Sequence, residues 1–161
     1  MLVRRRSGAH WLDAPAVLSR WLVGYSGVVR PRLLIGGYRT QDADPPALEA
    51  RLAQQMPAQI SWAFGGGAAT QRLTGHYRGE LTVVHAIQPP ADLHRTLRAI
   101  RTEQRPSLVL LKAPGPLLLQ GIQPCTAHPP LVYQELLCVG DDRAREAAAD
   151  LRERYLKDSL S

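Results

Sequence analysis

The residues that could carry acid–base or metal chemistry in this chain are few and scattered. Its five histidines are His10, His76, His85, His94 and His128. None of them stands at a metal-ligand spacing, such as H-x-x-x-H, from another histidine, a cysteine or an aspartate. The pattern predicts no metal site and no cofactor. His85 falls on a predicted strand face, where a hydrogen-bonded core histidine is the expected role.

Three acids and one lysine are the remaining candidates for chemistry. Asp141 and Asp142 form a carboxylate pair, but a helix start explains both without catalysis. Glu135 could hold a metal with one of them only if the fold brings them together. A nuclease-like site needs an acid beside a lysine on adjacent strands, and Lys112, the one lysine in a predicted strand, has no such acid. We therefore predict no catalytic residues and no enzyme activity.

A run of three glycines, Gly65 to Gly67, stands where the hydrophobic period changes. Alternating apolar residues from Ile60 to Phe64 predict a buried strand, and the small residues after the run predict a helix that Gly75 ends. The run could be a phosphate cradle of backbone amides, or it could allow close packing of helix on sheet. It lacks both the Lys-Ser/Thr ending of a P-loop and the spacing of G-x-G-x-x-G, which favours packing.

Arginine dominates the charge of the chain. Of its 20 basic residues only Lys112 and Lys157 are lysines, which leaves 18 arginines, and the net charge is +6. The planar guanidinium suits phosphate or carboxylate partners, but a GC-rich genome gives the same bias. The composition therefore leaves a polyanion partner open.

Two groups of arginines are candidates for binding nucleic acid. The first is Arg4, Arg5 and Arg6, at the basic tip of a strand-like N-terminus. The second is Arg95, Arg98, Arg101 and Arg105, on and just beyond a helix predicted from Ala91 to Glu103. The second group could track a phosphate backbone, although a solvated helix face explains it as well and is the preferred interpretation.

Length and periodicity predict one α/β domain. Strands are predicted at 60–64, 80–87, 107–112 and 117–122, and the apolar run 33–35 could add another. Helices are predicted at 13–27, 44–57, 68–75, 91–103, 131–140 and 141–155. We expect a central mixed sheet of about four to five strands flanked by helices, with 80–87 in its interior.

Targeting signals and disulfides are not expected. No apolar run approaches the roughly 18 residues of a membrane span, and the N-terminus lacks the apolar core of a signal peptide. The chain is predicted to be cytoplasmic, with no membrane partner. In that reducing compartment Cys125 and Cys138 are expected to be free thiols.

Three stretches of the sequence resemble one known family. They are ArgProArgLeuLeuIleGlyGlyTyrArg at 30–39, SerTrpAlaPheGlyGlyGlyAlaAla with ArgLeuThrGlyHisTyr at 61–77, and LeuValTyrGlnGluLeuLeu with GlyAspAspArgAlaArgGluAlaAlaAla at 131–149. From about Leu12 to Tyr155 the chain resembles the C-terminal domain of the AbiEi type of antitoxin. The family motif is matched at Gly65, Gly66, Tyr133, Asp141, Arg143 and Glu146.

The resemblance implies a non-enzymatic transcriptional regulator of a type IV toxin–antitoxin, or abortive-infection, system. Such a domain neutralises a nucleotidyltransferase-like toxin without stably binding it, or represses its own operon. Gly67 stands where the family tends to have an acid after the paired glycines, so no role of that acid carries over. The alternative function is an arginine-rich nucleic-acid-binding or nuclease-like domain.

The N-terminus departs from the family pattern. Family members usually carry a winged helix-turn-helix that binds the promoter, and here residues 1–12 resemble only the end of a wing. We expect that such a head was lost or begins upstream, and that 13–161 forms a single antitoxin-like domain. The oligomeric state is not predicted.

Overall fold

The computed structural model describes residues 2–5, 8–11, 20 and 23–157, and for the first two ranges it describes the backbone alone. Strands β1 (Leu2–Arg5) and β2 (Gly8–Trp11) pair antiparallel as an N-terminal hairpin. The predicted N-terminal strand is thus a pair of strands where the structure describes it. The predicted start of the first helix, at Asp13, lies outside the described residues.

A five-stranded mixed sheet forms the centre of the domain. Its strands are β3 (Leu34–Arg39), β4 (Trp62–Gly65), β5 (Thr82–Ala86), β6 (Ile100–Arg101) and β7 (Leu108–Lys112). They lie in the order β4-β5-β7-β3-β6, with β5 and β7 parallel and the other neighbours antiparallel. All five residues of β5 are buried, as their apolar character on both faces predicts. The predicted mixed α/β sheet is confirmed.

Helices cover both faces of this sheet. They are α1 (Arg30–Leu33), α2 (Pro45–Gln55), α3 (Gly66–Thr74), α4 (Leu93–Thr96), α5 (Pro129–Val139) and α6 (Asp142–Leu151). A π-helical turn, Tyr25–Val29, leads into α1, and another, Arg152–Leu156, continues α6. Leu48 of α2 and Leu93 of α4 share one core with Phe64. Leu131 of α5 and Leu151 of α6 share another core with Ala63 on the opposite face.

The helix ends follow directly from the residues at those positions. Asp44 accepts a hydrogen bond from the Ala47 amide at 2.8 Å and caps α2, and Asp141 caps α6 through the Ala144 amide at 2.7 Å. At the other end, Gly75 terminates α3 with a left-handed φ of 76°. The predicted starts of α2 and α6 and the predicted stop of α3 are confirmed.

The helix predicted from Ala91 to Glu103 is wrong. Only Leu93–Thr96 is helical, and Arg98, with a left-handed φ of 52°, ends it. The Ala99 amide donates to the His94 carbonyl at 2.8 Å, which is the closing bond of a Schellman motif. Glycine is the usual residue at the left-handed position that ends a helix. Because Arg98 occupies that position here, the sequence contains no signal that the helix ends. Ile100, an apolar residue of the predicted helix, is 69% exposed.

Two further boundaries also differ from prediction. The run 117–122 is not a strand, because Pro116–Leu119 forms a 3₁₀ turn from which the Leu118 carbonyl accepts a bond from His128. The first helix does not end near Gly27, since helical backbone continues to Leu33. Tyr25 and Val29, at a spacing of four, keep this helix packed on the core.

Candidate functional site

The glycine run joins β4 directly to α3, and packing explains each glycine. A Cβ at Gly65 would overlap the imidazole of His85, and one at Gly67 would overlap the backbone carbonyl of Arg78. Gly66 has φ of +48°, a conformation that side chains disfavour. All three glycines are buried. This geometry supports the close-packing interpretation of the run.

Two clefts, which we call the Tyr77 clefts, open between the loop after α3 and the start of α6. The first has a volume of about 380 Å³ and is lined by residues that include Gly67, Arg78 and Asp141. The second, of about 310 Å³, is lined by residues that include His76 and Glu146. Both are also lined by Tyr77 and Arg143. The two clefts are therefore neighbours that share these two side chains.

Packing of α6 against α3 brings the two sides of the Tyr77 clefts together. Ala147 and Leu151 of α6 share a core with Ala69 and Leu73 of α3. The hydroxyl of Tyr155 also donates to the Leu73 carbonyl at 2.8 Å. Gly75 ends α3, and the chain after it, including Tyr77 and Arg78, lines the clefts. Two segments some sixty residues apart in sequence meet for these reasons.

The charged groups of the Tyr77 clefts differ in whether they already have hydrogen-bond and ion-pair partners. Arg78 donates to Glu49 and to the Thr82 hydroxyl, each at 2.6 Å. Arg143 is exposed and makes no hydrogen bond or ion pair within the described part of the chain. Burial raises the pKa of Tyr77, as does the charge of Asp141, against the opposing charges of Arg143 and Arg78. At neutral pH the Tyr77 hydroxyl is therefore a neutral hydrogen-bond donor.

The six predicted family-motif residues fall in three places. Asp141, Arg143 and Glu146 line the Tyr77 clefts. Gly65 and Gly66 lie in the buried junction of β4 and α3. Tyr133 lines a separate groove between α5 and α6. Three of the six are thus brought together at one surface.

The four arginines predicted on one helix face do not share a helix. Only Arg95 lies in α4, Arg98 follows it, Arg101 lies in β6, and Arg105 occupies a loop with φ of 43°. All four are exposed. The prediction of a single basic helix face is therefore wrong, although the four positive charges are on the surface. Of the other group, Arg4 and Arg5 lie in β1, and Arg6 lies outside the described residues.

Comparison with known families decides which family this fold and these clefts represent. A family model described as a transcriptional regulator, the AbiEi antitoxin of a type IV toxin–antitoxin system, matches residues 11–157. The chain belongs to this AbiEi antitoxin family. The match spans both segments that form the Tyr77 clefts, and the predicted family is confirmed. Nothing in the match favours the nuclease-like alternative. No curated protein and no solved structure matches the chain significantly.

This AbiEi domain also contains a buried polar cluster that the sequence analysis missed, which we call the Glu135 cluster. Glu135, 1% exposed, accepts a hydrogen bond from the Tyr25 hydroxyl at 2.6 Å. The Arg30 guanidinium donates to both carboxylate oxygens of Glu135, at 3.0 to 3.1 Å. The cluster therefore ties α1 and the turn before it to α5. His85, fully buried, is its fourth member, since its charge would interact with those of Glu135 and Arg30.

Burial sets the protonation states in the Glu135 cluster. It lowers the pKa of His85 to about 4, against a smaller opposing effect of Glu135. Both ring nitrogens of His85 lack a hydrogen-bond partner among the described residues, so the predicted hydrogen bond is wrong. Burial, followed by the charge of Glu135, raises the pKa of Tyr25. Burial alone would lower the pKa of Arg30, but its bonds to Glu135 outweigh that and raise it.

One sequence signal could have revealed this cluster. Glu135 is a lone acid within the apolar run 131–139, and a buried acid requires a cationic partner. The described residues contain no group of three His, Cys, Asp or Glu that could hold a metal. No described helix is both long and apolar enough to cross a membrane. Cys125 and Cys138 are free thiols, as predicted.

Proposed function

We propose that this AbiEi-family chain antagonises a toxin and regulates transcription by binding alone, with the Tyr77 clefts as its principal contact surface. The observation that carries the proposal is the meeting of two motif segments, 72–77 and 140–149, at these clefts. Arg143 and Glu146 are exposed and add nothing to the core. Binding explains why a motif would contain them.

The charges of the Tyr77 clefts favour a partner of mixed polarity. Arg143 offers a cation, Glu146 offers a carboxylate, and Asp150 is already paired with Arg154 at 2.8 Å. Tyr77 adds a neutral hydroxyl. Such a surface suits a partner with both donors and acceptors, and it suits the duplex DNA backbone less, because phosphates present acceptors alone.

The state of the titratable groups supports an activity without catalysis. His85 and Glu135 are buried out of reach of any substrate. In the clefts, the Asp141 carboxylate caps α6 and the Arg78 guanidinium is held by Glu49. Asp141 and Arg78, two charged groups of the clefts, are thus already engaged in structural roles.

In this proposal, contact with DNA belongs to the N-terminal hairpin, and the protein acts in the cytoplasm beside its own operon. Arg4 and Arg5 lie in β1 of that hairpin. A two-stranded ribbon is one of the elements that fits a DNA groove. Its toxin is a nucleotidyltransferase-like protein encoded next to it, and the clefts contact the protein through which the chain opposes that toxin indirectly.

Co-expression with that neighbouring toxin tests the clefts. The double variant Tyr77→Phe with Arg143→Glu should lose rescue of cell growth while keeping the thermal midpoint of the parent, because Phe keeps the ring that packs on the core. Arg95→Glu, the same charge change at an exposed site away from the clefts, is the control and should rescue fully. Full rescue by the double variant would show that the Tyr77 clefts are not the contact surface.

DNA binding is tested separately by titrating operator and scrambled duplexes at several salt concentrations. Replacing Arg4, Arg5 and Arg6 with Gln should lower the salt slope by about 0.9 for each phosphate that the variant no longer neutralises. Replacing Arg95, Arg98, Arg101 and Arg105 with Gln should leave the slope nearly unchanged, because these residues do not form one helix face. The reverse result would place DNA on the loop arginines and reject the hairpin.

A further inference from the structure

A second surface feature, the groove between α5 and α6, lies apart from the Tyr77 clefts. Its volume is about 430 Å³. The α5 side contributes Tyr133 and Leu137, and the α6 side contributes Arg145, Ala148, Ala149 and Arg152. These α6 residues differ from those that face the Tyr77 clefts, so α6 presents two surfaces. We call this feature the α5–α6 groove.

The apolar part of the α5–α6 groove has the shape of a side-chain pocket. Tyr133 and Leu137 stand one helical turn apart on α5, and Leu137 is 42% exposed. Opposite them, Ala148 and Ala149 carry only methyl groups. A wall of large side chains facing small ones leaves room for a bulky apolar side chain from outside. Tyrosine at such a position is typical of residues that dominate binding energy.

The charges around the groove have an excess of positive sign. Its lining contains Arg145, Arg152 and Lys157 against Glu153 as the one acid. Arg145 pairs with Asp142 at 3.2 Å, and Lys157 pairs with Glu153 at 2.6 Å. Arg152 is exposed and has no hydrogen-bond or ion-pair partner in the part of the chain that the structure describes. A carboxylate from a partner would complement it.

The same charges argue against nucleic acid as the occupant. Asp142 neutralises Arg145, and Glu153 neutralises Lys157, along α6 and its continuation. A continuous phosphate backbone would meet repulsion from these acids, whereas a protein helix can place single charges opposite single charges. Helices commonly bind in grooves through apolar residues spaced at one turn.

We infer that the α5–α6 groove docks an acidic amphipathic helix of a partner protein. One bulky apolar side chain of that helix fills the space between Leu137 and Ala149. A carboxylate about one turn away on the same helix pairs with Arg152. The site is independent of the Tyr77 clefts and does not require the proposed function.

The test uses the full chain and two labelled, stapled helical peptides of about four turns. Both carry leucine along one face, and one carries glutamates where the other carries lysines. Fluorescence anisotropy should show the acidic peptide binding at least about tenfold more tightly than the basic one. Arg152→Glu should weaken the acidic peptide by about tenfold, and Ala149→Trp should block it by filling the groove.

Control variants separate this site from the rest of the surface. Arg95→Glu and the Tyr77→Phe with Arg143→Glu double variant should bind the acidic peptide as the parent does. Arg152 is exposed, so Arg152→Glu remains informative even if Ala149→Trp does not fold. Equal binding of the two peptides, no binding of the acidic one, or no effect of Arg152→Glu would overturn the inference.

Two other occupants are outcomes of the same experiment. If sedimentation shows a dimer that Ala149→Trp abolishes, a second copy of this chain fills the groove. If duplex DNA displaces the acidic peptide and Arg152→Glu loses DNA binding, the groove is a nucleic-acid site. Either result would overturn an acidic partner helix.

Discussion

Two glutamates of this domain bind arginines from other elements, one inside the fold and one near its surface. Glu135 is 1% exposed and holds Arg30 and the Tyr25 hydroxyl. Glu49, whose side chain is 12% exposed, is shared by Arg72 and Arg78. Each carboxylate joins segments that are distant in sequence.

Glu49 and Glu135 differ in whether other contacts also hold the arginines that they bind. Near Glu49, Arg72 also lies over the ring of Phe64, at 4.6 Å from its centre, and Arg78 also donates to Thr82. Water can also replace part of the hydrogen bonding that the Glu49 carboxylate provides to these arginines. Arg30, in contrast, has no hydrogen-bond or ion-pair partner other than Glu135 among the described residues, and the neighbouring His85 has no hydrogen bond there. The comparison indicates that burial, more than the number of ion pairs, decides how much a carboxylate matters to stability.

The largest expected effect is that of Glu135→Gln. It leaves the charge of Arg30 partly buried without a counter-ion, so the free energy of unfolding should fall by about 3 kcal/mol. Urea denaturation followed by circular dichroism measures the loss. A loss no larger than that of Glu49→Gln would mean that Arg30 reaches solvent and that the contrast does not hold.

The next largest effect concerns the contact between Gly65 and His85. Gly65→Ala should destabilise the fold by about 1–3 kcal/mol, because its methyl group overlaps the imidazole. In a His85→Ala background the same change should cost at least about 1 kcal/mol less. The matched control is Gly115→Ala, where a new Cβ has no atom within 4 Å. An equal cost in both backgrounds would assign the strain to the backbone.

The pH dependence of stability should identify His85. Its pKa is about 4 in the folded protein and about 6.5 when unfolded, so the unfolded chain takes up the proton first as the pH falls. Stability should therefore drop by about 1.4 kcal/mol per pH unit between these values, with no further loss from this group below them. His85→Leu should remove that slope. His128, whose pKa burial also lowers, remains in both proteins and cancels in the difference.

The smallest effect is that of Glu49→Gln. Its arginines keep other contacts and Arg72 is 35% exposed, so the cost should be at most about 1 kcal/mol. It should shrink further in high salt, whereas the cost of Glu135→Gln should not. Thermal melts at two salt concentrations compare them directly. Equal salt dependence would remove the distinction between the two sites.

Much of the fold could be predicted because local rules decide it. Asp44 and Asp141 cap helices, Gly75 and Gly140 end them, and the alternating apolar residues of β5 place it inside the sheet. Each of these signals acts within a few residues. Tertiary contacts reinforced them and did not override them.

The features that the sequence analysis did not predict depend on contacts between residues that are distant in sequence. The segment after α4 becomes β6 because its backbone pairs with β3, at Tyr38 and Arg39, which no local pattern reveals. Glu135 and Tyr25 meet across 110 residues. The Tyr77 clefts likewise require α3 and α6 to pack. Motif matching identified Asp141, Arg143 and Glu146, but it could not show that they share a surface with Tyr77.

The strand order has a consequence for how the chain folds as it is synthesised. β4 and β5 are near in sequence and can pair early, but β3 lies between β6 and β7, which emerge only from residue 100 onward. β7 must join β5 on one side and β3 on the other, so the two halves of the sheet unite in one late step. Until Lys112 has left the ribosome, both halves carry unpaired strand edges. Nascent chains stalled before that point are therefore the species most exposed to aggregation and proteolysis.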